Sequence, residues 1–125
     1  MPNGAWVLLR TGWGARPGRR RVSQRRRERA RHPRPRRDAA RWLAGARGIS
    51  GFGVETVGID AGAAGGFDPP FPVHSLLLGA GRLGLTQLAN LDRLPATGAL
   101  LVVAPLPLVG GTGSPSRVYA LVPAG

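Results

Sequence analysis

The chemistry open to this chain rests on one imidazole and a few carboxylates. His74 follows Pro72-Val73 close behind a Gly/Pro loop, Glu55 and Asp60 flank the end of a glycine-containing strand, and Asp68 lies in the loop before His74. An imidazole changes charge near neutrality and offers its nitrogens to a proton or a metal, while carboxylates orient it or bind a divalent ion. No self-sufficient centre is spelled out. There is no His-x-His, His-Glu-x-x-His, Gly-x-Ser-x-Gly or P-loop, and Gly51-Phe52-Gly53 runs into strand residues rather than a helix. The absence of cysteine excludes disulfides, thiolate zinc sites and a cysteine nucleophile. From the residues alone His74 reads either as a capping or core histidine or as a ligand, and with its carboxylates it makes half a site.

These groups need elements to hold them. Trp6-Val7-Leu8-Leu9, bounded by Asn3-Gly4 and Thr11-Gly12, predicts a buried strand. Asp38 is a good helix N-cap, and Ala39, Ala40, Trp42, Leu43 and Ala46 continue to Gly48 as a short helix. Ile49 to Ile59 reads as a strand, residues 60–70 as a loop, and Pro72 as the first turn of a helix that Val73 to Leu78 extends. Leu83 to Leu88 alternates like a half-buried strand, and residues 90–97 form a turn. Ala99 to Ala104 is apolar enough for a central strand, and Arg117 to Val122 makes the last one. The expectation is an α/β fold with a mixed sheet.

One hundred and twenty-five residues make one ordinary domain or less. All eighteen basic residues are arginine, and the formal charge is +12. Twelve of those arginines fall in residues 16–37 against the single acid Glu28, so the rest of the chain is near neutral. The organisation expected is a first strand and turn in residues 1–15, an arginine-rich mobile or aberrant segment in 16–37, and the remainder of the same domain in 38–125. The segment lacks hydrophobic periodicity, and Pro33 and Pro35 forbid a continuous helix. Three readings of it stand side by side: a solvated linker, an electrostatic arm for nucleic acid, and GC-rich coding sequence read out of frame. No aromatic residue interleaves its arginines for base stacking. The longest apolar run, Ala99 to Val109, contains two prolines and falls well short of the ~20 residues that cross a bilayer. The N-terminus does not read as a signal peptide. A cytoplasmic protein without membrane attachment is expected.

Six motifs in order point further. They are Trp-Val-Leu-Leu-Arg-Thr-Gly-Trp (6–13), Gly-Val-Glu-Thr-Val-Gly-Ile-Asp (53–60), Pro-Val-His (72–74), Leu-Leu-Leu-Gly-Ala-Gly (76–81), Ala-Asn-Leu-Asp-Arg-Leu-Pro (89–95) and Gly-Ser-Pro-Ser-Arg (113–117). Over residues 5–15 and 38–123 the chain resembles the C-terminal half of the cyclase family. These are metal-dependent hydrolases that include kynurenine formamidases (arylformamidases) of tryptophan catabolism and related hydrolases of cyclic amides. Residues 16–37 match nothing in that pattern. Family signal on both sides of them favours the out-of-frame reading over an evolved arm.

The resemblance implies a swivelling β/β/α fold, here partial, often assembled as a homodimer. It implies a zinc or manganese ion that holds a water for attack on a small amide such as N-formylkynurenine. By resemblance His74 falls on a histidine at the metal site, as ligand or proton shuttle. Glu55 and Asp60 fall on the two aspartates of a Gly-x-Asp-Thr-x-Ser-x-Asp stretch that shapes the pocket wall, with Thr56 between them. The chain departs from the family in four places. Glu55 replaces Asp, Gly58 stands where Ser is usual, Thr86 occupies the place of a metal-binding Glu, and the motif His-x-Gly-Thr-His-x-Asp-x-Pro is absent. A hydroxyl is a far weaker divalent ligand than a carboxylate. The expectation is therefore a piece of such a hydrolase that binds metal weakly and is inactive or weakly active by itself. The alternatives are a small basic nucleic-acid-binding protein acting through residues 16–37, and a non-catalytic dimer partner.

Overall fold

A computed structural model describes residues 2–13, 37–45 and 48–123 of the chain. All but the last of the arginine-rich stretch, 16–37, lies outside them, and so do the readings attached to it. The chain divides into two compact units, residues 1–91 and 92–125.

The first unit is built on a parallel three-stranded sheet in the order β1-β2-β3, with β1 Trp6–Leu9, β2 Gly51–Val54 and β3 Leu83–Leu85. Trp6 pairs with Gly51 and Leu9 with Val54, and on the other side Gly51 pairs with Leu83 and Gly53 with Leu85. Parallel neighbours need a crossover. Helix α1 (Arg37–Gly45) lies between β1 and β2, and a short π-helix, His74–Leu78, lies between β2 and β3. Asp38 sits in the first turn of α1, where its charge complements the helix dipole. Ala40 and Leu43, one turn apart, are buried, while Trp42 between them is exposed.

Central strand β2 is buried along its whole length, and its glycines are steric requirements. A Cβ on Gly51 would stand 2.5 Å from the Trp6 ring and 2.6 Å from the Leu83 carbonyl oxygen. The core is Ala40, Leu43, Ile49, Phe52, Val54, Ile59, Val73 and Leu77, with Val7, Leu9 and Leu76 packed on it. Burying each of the larger side chains contributes about 1.5–3 kcal/mol. That burial, more than the few ladder bonds of three- and four-residue strands, holds the sheet together.

Two expected strands are shorter than their sequence patterns suggest. Ile49 to Ile59 narrows to Gly51–Val54, because Glu55 to Asp60 leave the sheet in a series of bends to make side-chain bonds elsewhere. Leu83 to Leu88 narrows to Leu83–Leu85, after which Gln87 takes a left-handed φ of 58°.

The second unit holds an antiparallel ribbon of β4 (Leu100–Pro105) and β5 (Ser116–Leu121), paired from Leu100 with Leu121 to Pro105 with Ser116. The apolar run Ala99 to Ala104 predicts a central strand, yet among the described residues β4 has β5 as its one partner. A continuous apolar run marks a strand without saying how many neighbours it has. The fold is α/β with parallel and antiparallel pairing, and no described helix is long and apolar enough to cross a membrane.

Candidate functional site

In parallel α/β sheets ligands sit beyond the carboxyl ends of the strands. The buried polar side chains of the described residues, Glu55, Thr56 and Asp60, all lie on the segment that leaves the carboxyl end of β2. Buried carboxylates must find donors. Each of these two finds them on a different piece of backbone.

Glu55 reaches the segment following β1. Its Oε2 accepts the Thr11 backbone N–H at 2.6 Å, the Thr11 hydroxyl at 2.8 Å and the Trp13 N–H at 3.2 Å. Burial alone would raise this carboxyl's pKa. The donors from Thr11, Trp13 and Gly12 outweigh it and hold Glu55 below its ordinary value. Glu55 is therefore an anion that fastens the Thr11–Trp13 segment to the end of β2.

Asp60 reaches the segment before the π-helix. Its Oδ1 accepts the Val73 N–H at 2.9 Å, and its Oδ2 accepts the His74 N–H at 2.8 Å. These are first-turn amides that the helix leaves without partners, so Asp60 caps the turn from a distant position in sequence. The same Oδ2 lies 2.6 Å from His74 Nδ1. A carboxylate only accepts, so Nδ1 carries the proton, and in the neutral ring that leaves the lone pair on Nε2. Nε2 has no hydrogen-bond partner among the described residues, and the His74 side chain is 46% exposed. Phe71 stands edge-on to this ring, 6.3 Å between centroids at 84°.

The sequence-derived residues therefore come together in part. His74 and Asp60 form a bonded pair, and Glu55 acts on the neighbouring segment. Thr56 is buried, and its hydroxyl donates to the Gly58 carbonyl at 2.9 Å, closing the turn toward Asp60. Thr86 lies just past β3, exposed, with no hydrogen bond to His74 among the described residues. Asp68 lies exposed in the loop ahead of a cis Asp68–Pro69 bond. Among the described residues no group of three His, Cys, Asp or Glu could hold a metal ion. With Nδ1 committed to Asp60 and Glu55 Oε2 to three donors, His74 Nε2 is the ligand atom this pair offers outward. Those residues do not by themselves make a metal centre.

Thr11, Trp13 and Phe71 are not marked as site residues by the sequence. The available signal is indirect: Glu55, placed at a buried strand end, requires donors, and Thr-Gly-Trp after β1 supplies them. Nothing in residue spacing marks Phe71.

Comparison with known proteins agrees with the resemblance. The family model Cyclase, described as "Putative cyclase", matches residues 1–61. An isatin hydrolase from Roseibium aggregatum is 48% identical over 121 residues, covering 96% of this chain and 46% of its own. The structure of isatin hydrolase A from Ralstonia solanacearum superposes with a TM-score of 0.88 at 48% identity, over 98% of this chain and 47% of that one. An isatin hydrolase bound to the product analogue thioisatinate gives 0.87 at 46% identity, over 99% and 47%. The chain thus spans about half the length of the curated relative it matches. With a family model over its first half and relatives aligned along nearly all of it, the chain belongs to the cyclase family.

Proposed function

We propose that this chain is part of a hydrolase that opens a small cyclic aryl amide of the isatin type, with His74 as its proton-handling group. The observation that carries the reading is the Asp60 clamp. One buried carboxylate fixes both the backbone and the Nδ1 of His74, leaving Nε2 without a partner among the described residues on an exposed ring. In isatin hydrolysis water adds across the lactam: the carbonyl carbon gains oxygen, its bond to nitrogen breaks, and the nitrogen leaves as an aryl amine. A neutral imidazole with a free Nε2 can take a proton from the incoming water and return it to that nitrogen. Asp60 keeps the tautomer and steadies the imidazolium in between. Glu55 and Thr56 order the neighbouring wall.

The family resemblance also points to N-formylkynurenine, the arylformamidase substrate. It too is an aryl amide, but the names of the relatives favour the cyclic one. A divalent zinc or manganese ion, implied by the resemblance, would acidify water and polarise the carbonyl. His74 Nε2 is the ligand atom the described site offers it, so further ligands come from polypeptide other than the described residues. The chain by itself therefore binds metal weakly and turns over little or no substrate. On this reading residues 1–15 and 38–125 form one partial domain interrupted by 16–37, in a cytoplasmic enzyme that pairs as a homodimer.

A chimera tests this. This chain replaces the matching half of the Roseibium isatin hydrolase, and isatin opening is followed by absorbance. We expect activity in the chimera and a loss of about 100-fold or more with His74→Ala, the scale of a general acid–base group. A chimera equally active without His74 refutes the reading.

A further inference from the structure

Phe71 combines three features that packing alone does not call for. Its φ is 48°, a left-handed conformation that strains a bulky residue. The residue is 48% exposed, so hydrophobic burial offsets that strain only in part. Backbone bonds hold it there: the Phe71 N–H donates to the Ala64 carbonyl at 2.9 Å, and the Ser75 N–H donates to the Phe71 carbonyl at 2.8 Å. The ring is seated against Gly65, where an added Cβ would come within 3.3 Å of Phe71 Cζ. What this placement achieves is an apolar face beside the exposed His74 ring, edge-on at 6.3 Å.

We infer that Phe71 is the residue that selects a flat aromatic substrate, stacking the aryl ring while His74 Nε2 faces the amide. The inference rests on the aryl-amide reading above and adds the group that recognises the ring. A ring offers more contact to Phe71 than an open-chain amide does, and pairs of rings gain from edge and stacking geometry beyond their area. Gly65 serves as the floor that lets Phe71 sit this low.

The test is binding by the full 125-residue chain, followed through the His74 Cε1–H resonance. The probes are thioisatinate and 2-oxobutyrate, which carries the keto-acid group without the ring. Wild type should bind thioisatinate more tightly than 2-oxobutyrate. Phe71→Leu should weaken thioisatinate about tenfold and leave 2-oxobutyrate unchanged, and Phe71→Tyr should restore the aromatic preference. Equal affinity of wild type and Phe71→Leu for thioisatinate overturns the role of Phe71 and leaves the hydrolase reading standing. No binding of thioisatinate to wild type at millimolar concentration also overturns the role of Phe71, while the hydrolase reading stands or falls with the chimera. Should Phe71→Leu fail to fold, wild type and Phe71→Tyr decide: a wild type that does not prefer the ringed probe sinks the inference.

Discussion

Asp60→Asn is the sharpest probe of the clamp, because it keeps the shape of the side chain and removes one acceptor. Oδ1 now accepts from Val73, and Oδ2 accepts twice from His74, at its backbone N–H and at Nδ1. An amide has a single oxygen. If that oxygen faces His74, the new NH2 meets the N–H of Val73, which is fully buried. If it faces Val73, the NH2 meets the His74 backbone N–H, and the ring can stay bonded only by moving its proton to Nε2. Either arrangement opposes two donors beside a side chain that is itself buried. An orphaned buried donor costs about 1–3 kcal/mol and a lost cap roughly 1 kcal/mol, so the variant should unfold with about 2–4 kcal/mol less stability. That is a large share of a typical domain's margin of about 5–15 kcal/mol. Urea unfolding measures the loss, and long-range nitrogen–proton NMR correlations of the His74 ring report which nitrogen holds the proton. A midpoint within error of wild type, together with an unchanged Nδ1–H tautomer, would refute the clamp.

Glu55→Gln tests the second carboxylate through pH. The folded-state pKa of Glu55 is lowered from 4.5, so its stabilisation is fully present above that value and is lost as pH falls through the folded pKa. The variant should lose about 1.5–3 kcal/mol at neutral pH, as for a hydrogen-bonded charge, and show a shallower acid limb in its stability curve. A parallel curve shifted down at every pH would contradict the assignment. Gly51→Ala should destabilise by roughly 1–3 kcal/mol, since the added Cβ meets the Leu83 carbonyl as well as the Trp6 ring and backbone cannot swing away; a thermal melt checks it. Zinc should leave the melting temperature of the isolated chain where it was. A site saturated at a hundred times its dissociation constant would add about 2.7 kcal/mol, and a shift of that size would show that this chain holds a metal centre unaided.

The elements legible in the sequence are those with a local cause. Trp6–Leu9 is a strand because a short apolar run is bracketed by turn residues, and α1 follows from an acidic start and buried positions one turn apart. Pro72 marks a helical turn before His74, as its position predicts. The extent of β2 and β3 is what the sequence pattern overstates. Glu55 to Asp60 and Gln87 leave the sheet to satisfy one another: the Gln87 N–H donates to the Thr56 carbonyl at 2.9 Å, and the Leu88 N–H to the Val54 carbonyl at 3.0 Å. No alternation of side chains records a bond between segments some thirty residues apart. For the same reason the sequence suggests His74 and Asp60 as neighbours in a site, while their direct bond becomes visible only in three dimensions.

The segment after β2 explains why two acids survive where a sheet would favour apolar residues. Each spends its charge on backbone amides of another loop, Glu55 on Thr11 and Trp13, Asp60 on Val73 and His74. A carboxylate that accepts several N–H bonds is far stronger than one neutral bond, and it fixes direction as well as distance. The loops after β1 and before the π-helix are thereby referenced to one rigid, buried strand. A reacting imidazole must be held to within about half an ångström by groups that are themselves locked. On the proposed reading the lock is the strand, Asp60 transmits it, and His74 is where it would be used. Moving either acid to the amide should therefore loosen its own loop alone. The pair of variants would then lose stability additively, as expected for two clamps that share an anchor but no partner.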